Sequence, residues 1–131
     1  MKDLICDEFQ QTVAELLIRH QSILDILTKA QECSARINRA VVKAVTACGC
    51  IKIIAEKKPI PPDATLADLK NLLDSHLEGQ LCPQCRDMVE TEAGKLLFYL
   101  AALCNQLDLS LYDILLKEYK KLNTLRIFNF T

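Results

Sequence analysis

The chain's 131 residues, half of them hydrophobic and together carrying a net charge of −1, suffice to bury roughly two-thirds of the unfolded surface in one core, so a single domain over residues 1–131 is expected. Lysine and arginine are scattered along the chain, which leaves no electrostatic footprint for nucleic acid or for an anionic membrane surface. The longest apolar runs, such as Leu96 to Cys104, are far shorter than the ~20 residues a membrane-spanning helix requires.

At the amino end, Asp3, Asp7 and Glu8 interrupt any apolar stretch, so it does not read as a signal peptide and a cytoplasmic location is expected. From Asp3 to Cys48 the residues Phe9, Val13, Leu16, Leu17, Ile23, Leu24, Leu27, Ile37, Val41, Ala44 and Val45 recur at spacings of three and four. That period predicts two helices with a break near Gln21 and Ser22. Ile60-Pro61-Pro62-Asp63 is extended by the steric demands of proline on itself and on its predecessor. Thr65 and Asp68 resemble a capping pair, and Leu66, Leu69, Leu72, Leu73 and Leu77 form the stripe of a short helix stopped by Gly79.

Pro83 suits the first turn of the next helix, which runs to about Leu107 on Met88, Leu96, Leu97, Leu100 and Leu103. After a turn at Asp108-Leu109, Ser110 and Asp113 form a second capping pair that opens a terminal helix through Leu111, Ile114, Leu115, Leu122 and Leu125. No strand with convincing alternation remains. Short connections between amphipathic helices make antiparallel neighbours, so the expected fold is an all-α, four- to five-helix antiparallel bundle. Phe128, Asn129 and Phe130 make an apolar end that either docks or frays.

The stretch Glu92-Ala93-Gly94-Lys95-Leu96-Leu97-Phe98-Tyr99-Leu100-Ala101 resembles the second motif of the MazG-like all-α nucleoside triphosphate pyrophosphohydrolases. There the pattern is Glu-Glu-x-Gly-Asp followed by an apolar helix with an aromatic pair. Downstream, Asn105 to Leu111 resembles the family's turn into its last helix, and Asn123 with Arg126 echoes its Lys-Asn-x-x-Arg ending. The first motif, Glu-Glu-x-x-Glu-Leu, aligns best with Glu32-Cys33-Ser34-Ala35-Arg36-Ile37. The resemblance implies a MazG-like bundle assembled as a homodimer or higher homo-oligomer. It also implies paired carboxylates on two helices that hold Mg²⁺ while water attacks the α-phosphorus and pyrophosphate leaves.

Here the positions of the paired acids are Cys33 and Arg36 in the first motif and Glu92 and Lys95 in the second. One carboxylate survives at those positions, with Glu32 beside it. The two cations repel Mg²⁺, so a catalytically degenerate protein is expected, with no assigned catalytic residue and no Mg²⁺ cofactor. Its ligand would be a nucleotide or another phosphate compound near Glu32, Arg36, Glu92, Lys95, Asn123 and Arg126. Guanidinium and ammonium groups suit that task. They equally suit an interhelical charge network with Glu32, Glu90 or Glu92 in a retired site. A third reading keeps an active Mg²⁺-dependent pyrophosphohydrolase with shifted carboxylates.

A different class of function rests on seven cysteines. In a reducing compartment these raise a metal or redox question before a disulfide one. Cys48-Gly49-Cys50 and Cys82-Pro83-Gln84-Cys85 are two close pairs, a spacing that lets four thiolates surround one Zn²⁺ or hold an iron–sulfur cluster. If the motif helices pack antiparallel, both pairs fall at one end, roughly 15–20 Å from the motif level by the helix rise. A structural metal, a redox pair at Cys82 and Cys85 on a helix amino terminus, and inert thiols all remain open. Cys6, Cys33 and Cys104 read as core-facing, and His20 and His76 stand alone without a catalytic arrangement.

Overall fold

The computed structural model describes the backbone of residues 2–17, 19 and 21–130 and, within that range, the side chains from Leu4 to Leu125. The chain is 71% helical, with five α-helices and one small two-stranded sheet among the described residues, as a mostly helical sequence pattern requires. In chain order these are α1 (Lys2–Leu16), α2 (Ile23–Lys43), β1 (Ile51–Ile53), α3 (Leu66–Leu72), β2 (Leu77–Gly79), α4 (Pro83–Gln106) and α5 (Leu111–Phe130), with a π-helical turn over Ala44–Cys48 that prolongs α2. No helix among the described residues is long and apolar enough to cross a membrane.

The chain divides into two compact units. One comprises residues 1–36 and 91–131, and the other runs from Ile37 to Glu90. In the first unit, Val13, Ile26, Ala101 and Ala102 form the buried cluster, and Leu17, Phe98, Leu103 and Leu111 pack against it. Gln10 ties α1 to the turn between α4 and α5. Its side-chain amide donates to Asn105 Oδ1 at 3.0 Å and to the Leu109 carbonyl at 2.7 Å, and its Oε1 accepts from the Leu111 N–H at 2.8 Å.

That turn closes α4 in left-handed fashion: Asp108 has φ 56°, and the Leu109 N–H reaches back to the Cys104 carbonyl at 2.8 Å. This is the six-to-one bond of a Schellman ending, with aspartate taking the place usually held by glycine. Ser110 Oγ then accepts from the Asp113 N–H at 3.2 Å, which opens α5 as expected.

Two expectations are corrected in the second unit. The chain from Leu73 to Gly79 is not helix: α3 ends at Leu72, and Leu77–Gly79 pairs antiparallel with Ile51–Ile53 in the register Ile51↔Gly79 and Ile53↔Leu77. The leucine spacing fits a helix, but Leu73 and Leu77, 58% and 48% exposed, gain too little burial to carry it past Leu72. Asp74 Oδ1 and Ser75 Oγ accept from the His76 and Leu77 backbone N–H groups at 3.3 Å each. Such local bonds compete with helix propagation. The reciprocal capping box of Thr65 and Asp68 forms as expected. His20 lies outside the described residues, as do the side chains of Phe128, Asn129 and Phe130.

Candidate metal centre

The four paired cysteines meet in the second unit. Their sulfur atoms, from Cys48, Cys50, Cys82 and Cys85, all lie within 4.8 Å of one another. Cys48 Sγ and Cys82 Sγ, 34 residues apart in sequence, approach to 3.8 Å. A tetrahedral Zn²⁺ with bonds of about 2.3 Å spaces its sulfurs about 3.8 Å apart, so the cage is the size of one ion. All seven cysteines are free thiols.

Local backbone chemistry builds each half. The π-helical turn ends with the Gly49 N–H on the Ala44 carbonyl at 2.8 Å and with Gly49 in the left-handed region at φ 80°. Glycine takes that conformation without strain, so the chain reverses between Cys48 and Cys50 and enters β1. Across the ladder, Gly79 has φ +87°, and a Cβ there would stand 2.6 Å from the Cys50 carbonyl oxygen. No other residue type fits that approach, and it holds β2 against Cys50 just before the second pair begins.

The second pair uses the start of α4. Cys82 precedes Pro83, the first residue of the helix, and its sulfur accepts from the Cys85 N–H at 3.4 Å. The thiol thus stands where a capping side chain stands, and an anion there is favoured by the free N–H groups and the helix dipole. The Cys85 N–H, followed by the Cys85 thiol, lowers the Cys82 pKa to about 7. Cys85 is pushed up to about 12, first by Cys82. Crowded thiols cannot all ionise beside one another, and a cation among them removes that conflict.

The residues aligned with the pyrophosphohydrolase motifs lie in the first unit, on facing helices. Along α2 the inward positions Ile23, Ile26, Ala30 and Cys33 alternate by three and four, and on α4 Glu92, Leu96, Tyr99 and Leu103 do the same. The buried Cys33 thiol is pushed up first by desolvation and then by the negative charges of Glu32 and Glu92.

Their charges are satisfied mainly along each helix. Arg36 donates to Glu32 Oε1 through Nη2 at 2.9 Å and through Nε at 3.2 Å. Lys29 reaches Glu32 Oε2 at 3.1 Å, and Lys95 lies 3.7 Å from Glu92 Oε1. Arg36, ahead of Lys29, holds the Glu32 carboxyl below its usual range. Glu92 is only 13% exposed, and its Oε2 is buried without a hydrogen-bond partner. Asn123 is exposed on α5, and the Arg126 side chain lies outside the described residues.

Sequence reasoning passed over two contributors. Lys29, one turn before Glu32, was visible as an i,i+3 pair. Gly79 reads as a helix stop, although a glycine within or close before each cysteine pair hints at a left-handed backbone turn at both places. No family model, curated protein or solved structure matches this chain.

Proposed function

We propose that this chain is a metal-anchored helical protein in which one Zn²⁺, held by the thiolates of Cys48, Cys50, Cys82 and Cys85, stabilises the Ile37–Glu90 unit. The carrying observation is the convergence of four sulfurs within 4.8 Å. Its energetic complement is the near absence of a core: Ala44 and Ile51 are the buried residues of this unit. Bodies of this size generally need a staple, and a structural metal supplies one. Four thiolates fill a tetrahedral ion and leave no open position for substrate, which favours a structural role. A single ion fits the compact cage better than an iron–sulfur cluster, whose thiolates sit on different irons and spread farther apart.

Elemental analysis of the full chain purified without oxygen tests this. One zinc per chain is expected. Iron with visible charge-transfer bands would replace zinc by a cluster, and a folded, metal-free protein with intact thiols would remove the proposal.

A second reading concerns the motif residues. It rests on the sequence resemblance to the pyrophosphohydrolase pattern, and the local pairing of Arg36 with Glu32 and of Lys95 with Glu92 supports a retired site. No pyrophosphate release from nucleoside triphosphates with Mg²⁺ is then expected. Robust turnover abolished by Glu92→Gln would refute it.

A further inference from the structure

We infer that the cysteine cage, resting on the zinc reading above, is a peroxide-responsive switch: Cys48 and Cys82 become a disulfide, the zinc ion leaves, and the new bond keeps the hairpin closed in its place. Of the seven thiols, Cys48 is the exposed one, and it belongs to the cage. Its sulfur stands 3.8 Å from that of Cys82, in the other half of the cage and 34 residues along the chain. Cys33 and Cys104, by contrast, are buried and shielded from an oxidant.

Coordination to zinc keeps all four sulfurs deprotonated, so access rather than ionisation decides which of them an oxidant meets first. The oxidant is a hydroperoxide, with hydrogen peroxide the simplest. The Cys48 thiolate attacks one peroxide oxygen, the O–O bond breaks, and the departing hydroxide takes up a proton to become water, which leaves a sulfenic acid on Cys48. The Cys82 thiolate then attacks the Cys48 sulfur. The S–S bond forms, the S–O bond breaks, and a second hydroxide is protonated to water. Each sulfur has given one electron and the peroxide has taken two, while zinc leaves as Zn²⁺ with its oxidation state unchanged. Cys50 and Cys85 remain, and two thiolates are too few for a closed tetrahedral site.

The choice of partners decides what happens to the fold. Cys48 ends the π-helical turn and Cys82 precedes α4, so β1, α3 and β2 all lie between them. Their disulfide closes the same loop that the ion closes, and closure restricts the unfolded chain whichever link supplies it. The oxidised unit therefore stays folded. A disulfide between Cys82 and Cys85 would lie within one turn of chain and leave the hairpin without a staple.

Stepwise addition of hydrogen peroxide to the zinc-loaded full chain, purified without oxygen, tests the inference. A chromophoric zinc indicator follows the ion, and mass spectrometry maps the linked peptides. About one zinc should be released per peroxide consumed, with Cys48 joined to Cys82. Amides of 51–53 and 77–79 should keep their protection from hydrogen exchange in the oxidised protein. They should lose it by about tenfold or more once a dithiol reduces the disulfide in the presence of a chelator. Zinc retained in excess peroxide, a linkage other than Cys48 to Cys82, or loss of protection on oxidation overturns the switch and leaves the zinc site standing. A starting protein that carries no zinc removes the site itself, and the switch with it.

Discussion

The cysteine cage of the Ile37–Glu90 unit and the charged motif helices of the other unit differ in how their side chains find partners. Cys48 and Cys82 come together across 34 positions of sequence, and two left-handed glycines are spent on bringing them there. Arg36 and Lys95 instead find carboxylates four and three residues away on their own helices. An i,i+4 ion pair is the default of any charged helix, whereas four thiolates converging over a hairpin must overcome loop-closure entropy and mutual repulsion. Long-range convergence of reactive groups therefore points to a ligand, and local pairing does not.

The widest separation between the two regions is expected from removing the metal ligands. Cys82→Ser with Cys85→Ser, or a strong chelator, should abolish metal binding and unfold residues 37–90, while amides around the α4–α5 turn stay protected from hydrogen exchange. Loss of protection in both units together would show that the two are one cooperative body, and unchanged protection in both would deny the metal its structural role.

Gly79→Ala probes the same region without touching a sulfur. A left-handed φ of +87° and a Cβ 2.6 Å from the Cys50 carbonyl together should cost about 2–4 kcal/mol, seen as a lower midpoint in denaturant and weaker metal affinity. Gly49→Ala is its control, because a Cβ there meets nothing within 4 Å and only the backbone strain remains. In the other unit, Gln10→Ala removes three side-chain hydrogen bonds and should cost about 1–3 kcal/mol. Metal content per chain should not change.

How much of this was legible beforehand follows from the same physics. Helices α1, α2, α4 and α5 were readable because their apolar residues repeat at three and four, and the caps at Thr65 and Ser110 because capping is local. The two cysteine pairs are readable as candidates, and helix rise puts them at one level only on the assumption that the motif helices pack antiparallel. The hairpin was not readable. Ile51–Ile53 and Leu77–Gly79 are three residues each, too short for alternation to register, and the leucine stripe through Leu77 fits a helix equally well. Nor could the pairing of Arg36 with Glu32, rather than across to α4, be read from charges that had Glu90 and Glu92 as rival partners.

Thiol reactivity gives a smaller, pH-dependent contrast within the cage. With Cys82 lowered to about 7 and Cys85 raised to about 12, iodoacetamide should modify Cys82 fastest in metal-free protein near neutral pH. The sign is fixed by linkage. A thiol whose folded pKa lies below its ordinary value of 9.0 stabilises the fold fully above that value and loses the contribution as pH falls through about 7. Alkylation of Cys82 should slow over the same interval and be blocked by zinc. Equal rates at Cys82 and Cys85 across that range would mean that the helix amino terminus does not activate the first thiol.

The smallest effect is expected where the resemblance to an enzyme is strongest. Arg36 and Glu32 are solvent-screened groups, with side chains 54% and 38% exposed, and exposed pairs of this kind contribute little to folding. Arg36→Gln should leave the thermal midpoint unchanged within error. Glu92 is different, being nearly buried with an unpartnered Oε2 and Lys95 as its nearby cation. Lys95→Met removes that cation and leaves a buried carboxylate uncompensated, which should lower the midpoint, and adding Glu92→Gln should restore it because the charge is then gone. That non-additive rescue, read in a thermal denaturation series, separates a retired ion pair from an anion site. In an anion site Lys95→Met would be neutral without ligand, and its damage would be felt only when phosphate is bound.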